Sequence, residues 1–61
     1  MNLQENFLEE IKISKKEVEV ILIKGVHIKG IIEGYDNFSI LVNSNGKQQT
    51  LYKHSISTII R

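Results

Sequence analysis

The spacing of apolar side chains changes once along the chain, near Glu17. Before that point Leu3, Phe7, Leu8 and Ile11 recur at helical intervals, with acidic residues and Lys12 between them. This period predicts a short amphipathic helix over about residues 3–13. Asn2 is a suitable N-cap, and the first acidic residue after it stands three positions on, where a capping box requires it. One face of this helix must cover an apolar surface.

From Glu17 onward the period is two, which is typical of strands. Val18, Val20 and Leu22 share one face of the first strand, and the sequence Lys24-Gly25 predicts a two-residue turn after it. The second strand is expected over residues 26–33. Gly30 and Gly34 interrupt it, and glycine inside a strand suggests a sharp bend of the kind that curls a sheet on itself.

Three further strands are predicted from shorter apolar runs. They cover residues 38–42, 48–52 and 56–60, separated by turns at Tyr35-Asp36-Asn37 and at Ser44–Lys47. We therefore expect one mostly β domain spanning residues 1–61, without an extended C-terminal tail. An N-terminal helix should precede a strongly bent, five-stranded antiparallel sheet over residues 17–60, which forms a small open barrel.

Small size and bare strand edges together predict self-association. A domain of 61 residues buries only about 60% of its unfolded surface. The chain has no cysteine and no proline, so neither disulfides nor edge-blocking prolines are present. The fourth and fifth strands are the expected edges, and identical copies that pair edge to edge can close into a ring.

Composition excludes several classes of protein. Eight basic and seven acidic residues give a net charge of +1, so this is not an evidently basic nucleic-acid binder. No signal peptide and no membrane-spanning apolar run are visible. The absence of cysteine fits a reducing compartment, and we expect a cytoplasmic protein without cofactors.

Catalysis and metal binding are weakly supported. His54, Ser55, Ser57 and Asp36 contain the groups of a catalytic triad, but neighbouring strand residues point to opposite faces and no glycine-rich elbow surrounds either serine. His27 and His54 have no partner at the spacing of a metal site. The sequence therefore favours a binding protein over an enzyme.

A different set of residues has the chemistry of RNA binding. Single-stranded RNA is held by aromatic rings, polar groups that contact base edges, and cations near phosphates. The first two are supplied in one loop by Tyr35, Asp36, Asn37 and Phe38, and Lys53 with His54 could complete the set if the fold joins the two segments. The alternatives are that Phe38 is core, since it shares strand parity with Ile40 and Val42, and that Lys53 and His54 form an ordinary solvated turn.

The order of residues resembles that of a known family. An apolar strand, Lys24-Gly25, Gly30 and then the segment Gly34–Phe38 are similar to the first Sm motif. The segment Tyr52–Thr58, "YKHSIST", closely resembles the second motif of the Hfq family of Sm-like RNA chaperones. The similarity extends over nearly the whole chain, and the second motif is its specific part.

The resemblance implies a hexameric ring in which the fourth strand of one subunit pairs with the fifth strand of the next. Uridine-rich single-stranded RNA would bind around the pore on the helix side. The residues carried over for this face are Gln4, Asp36, Asn37, Phe38, Lys53 and His54. Those carried over for the subunit interface are Tyr52, Ile56, Ser57 and Ile59.

Two other surfaces depart from the family pattern. The opposite face would bind adenine-rich RNA, but Ile21 stands where relatives carry an aromatic ring. The expected contacts there are Gly25, Val26, Ile28, Lys29, Gln49 and Thr58. On the rim, Lys12, Lys15 and Lys16 replace an arginine-rich cluster, and lysine lacks the planar fork of guanidinium. These lysines either assist RNA annealing weakly or simply complement the helix end.

Three functions remain open at this stage. The first is an RNA chaperone that promotes pairing of small RNAs with messenger RNAs in post-transcriptional regulation. The second is an Sm-like ring that forms the core of a ribonucleoprotein without annealing activity. The third is a small barrel that binds a peptide by strand addition at an open edge, which ring closure would prevent.

Overall fold

The structure is a computed structural model that describes residues 5–61. Its elements in chain order are α1 (Glu5–Ser14), β1 (Val18–Leu22), β2 (His27–Tyr35), β3 (Ser39–Ser44), β4 (Lys47–Tyr52), a 3₁₀ turn (Lys53–Ser55) and β5 (Ile56–Ile60). The predicted helix and five strands are confirmed. The expected cap at Asn2, the apolar Leu3 and the RNA contact Gln4 lie outside the described residues. Nowhere between residues 5 and 61 does the structure contain a helix with the length and apolar character that a bilayer crossing requires.

The five antiparallel strands form one sheet in the order β4-β3-β2-β1-β5. β4 and β5 therefore occupy its two edges, as the sequence predicted. Each edge strand has a paired neighbour on one side only: β4 pairs with β3 over Ser39↔Tyr52 to Ser44↔Lys47, and β5 pairs with β1. The unpaired sides of both strands carry backbone donors and acceptors that another strand can use.

β2 bends at Gly30 and changes partner there. Its first half pairs with β1 as far as Val18↔Gly30, and its second half pairs with β3 from Ile31↔Asn43 onward. A Cβ at position 30 would lie 2.5 Å from the Asn43 carbonyl oxygen and 2.8 Å from Val42 Cγ1. Only glycine permits this close approach of β3, so the predicted bend at Gly30 has a steric cause.

The two hairpin turns differ in how well the sequence predicted them. Asn45 and Gly46 both have positive φ, of 54° and 83°, as a two-residue type I′ turn requires. The first turn is longer than expected: the Gly25 N–H donates to the Leu22 carbonyl at 2.9 Å, and the Leu22 N–H donates to the Val26 carbonyl at 2.8 Å. Its loop is therefore Ile23-Lys24-Gly25, with Gly25 at φ 93°, and β2 begins at His27 rather than Val26.

The core lies between α1 and the concave side of the sheet. Leu8 and Ile11 from the helix are almost fully buried, together with side chains from four strands: Val18, Val20, Leu22, Ile32, Ile40, Val42, Ile56 and Ile59. Burying each helix side chain contributes about 1.5–3 kcal/mol. The predicted inward face of β1 is confirmed. No buried polar or charged side chain occurs among the described residues, so the core itself contains no chemical site.

Candidate nucleic-acid interface

The segment between β2 and β3 is a tight turn organised by Asp36. Its Oδ1 accepts hydrogen bonds from the Phe38 N–H (2.8 Å), the Ser39 N–H (2.8 Å) and the Ser39 hydroxyl (3.0 Å). These donors, the Phe38 backbone foremost, hold the pKa of the Asp36 carboxyl below its ordinary value. Asp36 therefore fixes the path of the loop, as a short acidic side chain does in an Asx turn.

Phe38 projects from this turn into solvent. Its side chain is 72% exposed, so the expectation from strand parity that it would be core is wrong. The parity argument fails because β3 begins only at Ser39: Phe38 belongs to the Asp36 turn and does not follow the alternation of Ile40 and Val42. An exposed phenylalanine ring in a fixed turn is suited to stack on a base.

The segment after β4 meets this turn directly. β4 ends at Tyr52, the chain continues into the 3₁₀ turn Lys53–Ser55, and the Lys53 N–H donates to the Phe38 carbonyl at 2.8 Å. Residues that are far apart in sequence are thereby joined on one surface. We call Asp36, Asn37, Phe38, Lys53 and His54 the loop surface; Lys53 is half-buried, and the others are exposed.

Tyr35 connects the loop surface to the helix. Its hydroxyl donates to Glu9 Oε1 at 2.6 Å, and its ring centroid lies 5.9 Å from Lys53 Nζ and 5.6 Å from Lys12 Nζ. The bond to Glu9 raises the pKa of Tyr35 to about 12 and, from the other side, lowers the pKa of Glu9. The loop surface therefore lies on the helix side of the sheet. The sequence placed Tyr35 in a turn and gave Glu9 no role, since nothing local links residues so far apart.

The opposite side of the sheet has a different character. Ile21 lies directly across from His27 on β2 and from Thr58 on β5, and Glu19 lies across from Lys29. We call these five residues the outer face. His27 Nδ1 is 2.8 Å from Glu19 Oε2. The outer face thus has a half-buried aliphatic centre flanked by an acid and two basic groups.

The remaining residues expected on this face do not form one site within a chain. Ile28 lies opposite the buried Val20 and packs partly against the core, so its side chain does not join the outer face. Gly25 and Val26 are exposed in the first turn. Gln49 is exposed on β4, at the other end of the strand order from Thr58.

The expected interface residues divide into two groups. Tyr52 is 67% exposed and Ser57 is also exposed, so both are free to meet another subunit. Ile56 and Ile59 are only 3% and 6% exposed. Their side chains belong to the core of their own chain, so only their backbone groups face outward from β5. Ile60, which is not among the expected interface residues, is 51% exposed on the same edge strand.

The rim lysines are not equivalent. Lys12 Nζ lies 3.4 Å from Glu9 Oε1, whereas Lys15 and Lys16 are exposed beyond the end of α1 and enter none of the ion pairs found in residues 5–61. Beside them is a cleft of about 770 Å³ lined by Lys12, Ile13, Lys15, Ile31, Ile32 and Glu33. Ile13 is 66% exposed, so the rim combines charge with apolar surface.

The described part of the chain contains neither the hydrogen bonds of a catalytic triad at His54 nor a cluster of metal ligands. None of the hydrogen bonds within residues 5–61 joins His54 to Asp36, Ser55 or Ser57. Asp36 directs its carboxylate to its own loop. The described residues also contain no group of three or more acidic or histidine side chains placed to hold a metal ion.

Comparison with known proteins identifies the family. The family model described as "Hfq protein" matches residues 3–61. The chain belongs to the Hfq family. It is 45% identical over 60 residues to the RNA-binding protein Hfq of Natranaerobius thermophilus, covering 98% of this chain and 71% of that one. It is also 45% identical over 58 residues to the RNA-binding protein Hfq of Bacillus licheniformis, covering 95% and 80% respectively.

A solved Hfq structure has the same fold. The crystal structure of the pleiotropic translational regulator Hfq superposes with a TM-score of 0.92 at 43% identity, covering 98% of this chain and 100% of that one. The Sm-like fold is therefore confirmed, and so is the family that the second motif indicated. Hfq proteins are RNA-binding chaperones and not enzymes.

Proposed function

We propose that this chain forms a homohexameric ring that binds uridine-rich single-stranded RNA through the loop surface. The observation that carries the proposal is the hydrogen bond between the Lys53 N–H and the Phe38 carbonyl, 2.8 Å long. It holds the turn that carries the exposed Phe38 ring against the segment that carries Lys53 and His54. Phe38 stacks on uracil, Asn37 contacts the base or ribose, and Lys53 and His54 face base edges and phosphate. Gln4 completes this set by resemblance to the family.

Ring closure supplies the affinity that a single subunit lacks. The open edges of β4 and β5 provide complementary backbone groups, so β4 of one subunit pairs with β5 of the next. Tyr52 and Ser57 lie exposed along these edges. Repetition of weak sites around a pore raises avidity by about 10²–10⁴-fold, which allows a subunit of net charge +1 to bind RNA tightly. Because the ring uses both edges, it leaves none for peptide addition.

Adenine-rich RNA is proposed to bind the outer face, with a weaker stacking contribution than an aromatic ring would give. Ile21 offers apolar area to a base without a ring face. Thr58 lies directly across from Ile21, and Lys29 lies on the neighbouring strand β2. Gly25 and Val26 belong to the turn between β1 and β2 and extend the proposed contact beyond the strands. Since Gln49 lies on β4, it joins this set only across a ring boundary.

In the cell, the proposed role is to promote pairing of small RNAs with messenger RNAs in the cytoplasm, where the absence of cysteine fits a reducing environment. One observation favours the second candidate, a ribonucleoprotein core without annealing activity. Lys12 is already paired with Glu9 at 3.4 Å, so the rim retains fewer available cations. An annealing assay decides between the two: if Lys12, Lys15 and Lys16 changed together to alanine give the unaltered rate, the ribonucleoprotein core is the better description.

The loop surface is tested by Lys53→Ala and His54→Ala in separate proteins. We expect each to weaken oligouridine binding severely in a fluorescence anisotropy titration, while light scattering shows an unchanged ring. Lys47→Ala is the matched control, because Lys47 is an exposed lysine in the β3–β4 hairpin, outside the loop surface. Unchanged affinity in both variants, or a wild-type protein that scatters as a folded monomer, would contradict the proposal.

A further inference from the structure

Glu9 is an acidic residue placed beside a surface proposed to bind a polyanion. Its Oε1 accepts the Tyr35 hydroxyl at 2.6 Å and lies 3.4 Å from Lys12 Nζ. The same Tyr35 ring lies within 6 Å of both Lys12 and Lys53, at 5.6 Å and 5.9 Å. Tyr35 and Lys12 are therefore the next groups that an RNA strand would meet after leaving the loop surface across the helix.

We propose that Glu9, held in position by the Tyr35 hydroxyl, forms an ion pair with Lys12 that competes with an RNA phosphate. RNA contact on the helix side is thereby limited to the loop surface. This inference rests on the proposed function. A carboxylate oxygen and a phosphate oxygen are acceptors for the same ammonium group, so the Glu9 carboxylate competes with an RNA phosphate for Lys12. Glu9 is thus a specificity-determining residue, which favours short uridine tracts over RNA that extends toward the rim.

The Glu9–Lys12 pair can compete with an RNA phosphate for Lys12, and a phosphate can displace it. Glu9 and Lys12 are 45% and 39% exposed and stand three residues apart on the helix, where such pairs are individually weak and sensitive to salt. Tyr35 strengthens the competitor because it holds the carboxylate against the sheet and removes its freedom to turn away.

The test compares Glu9→Gln with Glu10→Gln. Glutamine keeps the length of the side chain and an acceptor for Tyr35, so the contact between helix and sheet is retained, but it releases Lys12. Glu10 is the matched control because it is the adjacent acid and its partner is Arg61, at 3.1 Å, on the C-terminal side of β5. Both variants change the charge equally. Thermal unfolding and light scattering establish that each remains a folded ring.

Two RNA probes separate the loop surface from the helix: a short oligouridine, and the same tract extended by an unstructured single strand. We expect Glu9→Gln to bind the extended RNA about three- to fivefold more tightly. Its plot of log K against log salt should be steeper by about 0.7 for each additional phosphate that the protein neutralises. Oligouridine affinity should not change, and Glu10→Gln should behave as the unaltered protein.

The double variant Glu9→Gln/Lys12→Gln assigns the tighter binding to Lys12, since it should bind extended RNA no more tightly than Lys12→Gln alone. Equal affinity of Glu9→Gln and the unaltered protein for the extended RNA would overturn the inference. So would an equal increase in affinity in Glu10→Gln, or an increase that persists without Lys12. Failure of the proposed function is recognised separately, because Lys53→Ala would then leave oligouridine binding intact.

Discussion

The loop surface and the outer face are built in different ways from the same small chain. The loop surface joins two segments that are distant in sequence, fixed by the Asp36 carboxylate and by the hydrogen bond from Lys53 to Phe38. The outer face requires only strand register: Ile21, His27 and Thr58 are direct neighbours because β1, β2 and β5 pair. One surface has an exposed aromatic ring in a rigid turn, and the other has a half-buried aliphatic side chain among charges.

This difference indicates where binding specificity resides. A turn held by three hydrogen bonds to one carboxylate presents Phe38 with little freedom to lose, which favours tight and selective stacking. The outer face presents an apolar area that any base can cover, beside a Glu19–His27 pair that an RNA must displace or avoid. We therefore expect the loop surface to be sensitive to single substitutions and the outer face to be tolerant of them.

Gly30→Ala should disturb both surfaces, and among the proposed variants it should have the largest effect on the fold. The new Cβ would meet the Asn43 carbonyl oxygen at 2.5 Å, and since that atom is backbone, the β2–β3 pairing must shift. Overpacking of this kind costs about 1–3 kcal/mol of stability. We expect the free energy of unfolding, measured with denaturant, to fall by an amount near the upper end of that range. Gly34→Ala is the control, because a Cβ there meets nothing within 4 Å. Equal stability of the two variants would refute the steric account of the bend.

Phe38→Ala should remove the stacking contact of the loop surface without affecting the fold. Stacking of a base on an aromatic side chain contributes about 1–3 kcal/mol, so oligouridine affinity should fall by about 5–150-fold. Since Phe38 is 72% exposed, the unfolding temperature should hardly move. Phe38→Tyr should restore most of the affinity. A loss of stability as large as the loss of affinity would show that the ring is structural.

Ile21→Tyr should sharpen the contrast by giving the outer face the ring it lacks. Affinity for oligoadenosine should rise by about fivefold, within the range for one added stacking contact, while oligouridine affinity stays constant. Ile23→Tyr is the control, because Ile23 is 70% exposed in the neighbouring turn and lies outside β1. If affinity rises equally in both variants, the outer face is not a base-stacking site.

Asp36→Asn should have the smallest effect, a slight loss of thermal stability that is seen only above the pKa of the Asp36 carboxyl in the folded protein. The pKa of Asp36 in the folded protein lies below its ordinary value of 3.8, so the ionised carboxylate stabilises the fold above that value. This stabilisation is lost as the pH falls through the folded pKa. The variant should unfold at a slightly lower temperature than the wild type near neutral pH, and the two curves should converge in acid. A constant gap at every pH would exclude the carboxylate charge as the cause.

Local patterns predicted the elements and the core more reliably than the site. The alternation of Val18, Val20 and Leu22 identified the buried face of β1, and Asn45-Gly46 identified the hairpin between β3 and β4, because both depend on neighbours within a few residues. The same alternation misplaced Phe38, since its N–H donates a hydrogen bond to the Asp36 carboxylate and so holds Phe38 in the turn before β3 begins. The interface set stays a prediction. Its members Ile56 and Ile59 both have core side chains although they differ in strand parity, because the register between β5 and β1 shifts between Ile56 and Thr58.

The resemblance to a family compensated for part of what local patterns lack. It selected Phe38 and Lys53 as functional when periodicity favoured a buried ring and an ordinary turn, and the structure places them in adjacent loops. It could not indicate Glu9, whose partners Tyr35 and Lys12 are brought together only when the helix packs on the sheet. It also grouped Ile28 with the exposed residues of the outer face, although that side chain packs against the core.

By itself, the sequence determined the family, the order of helix and strands, the bend at Gly30 and the two bare edges, because periodicity, glycine sterics and a specific motif are properties of the covalent chain. Only the tertiary structure decided that the Asp36 turn exposes Phe38 beside the Lys53 segment, and that Tyr35 donates a hydrogen bond to Glu9 and lies close to Lys12. Those contacts join residues from different elements, and their distances follow from how the helix and the curled sheet pack.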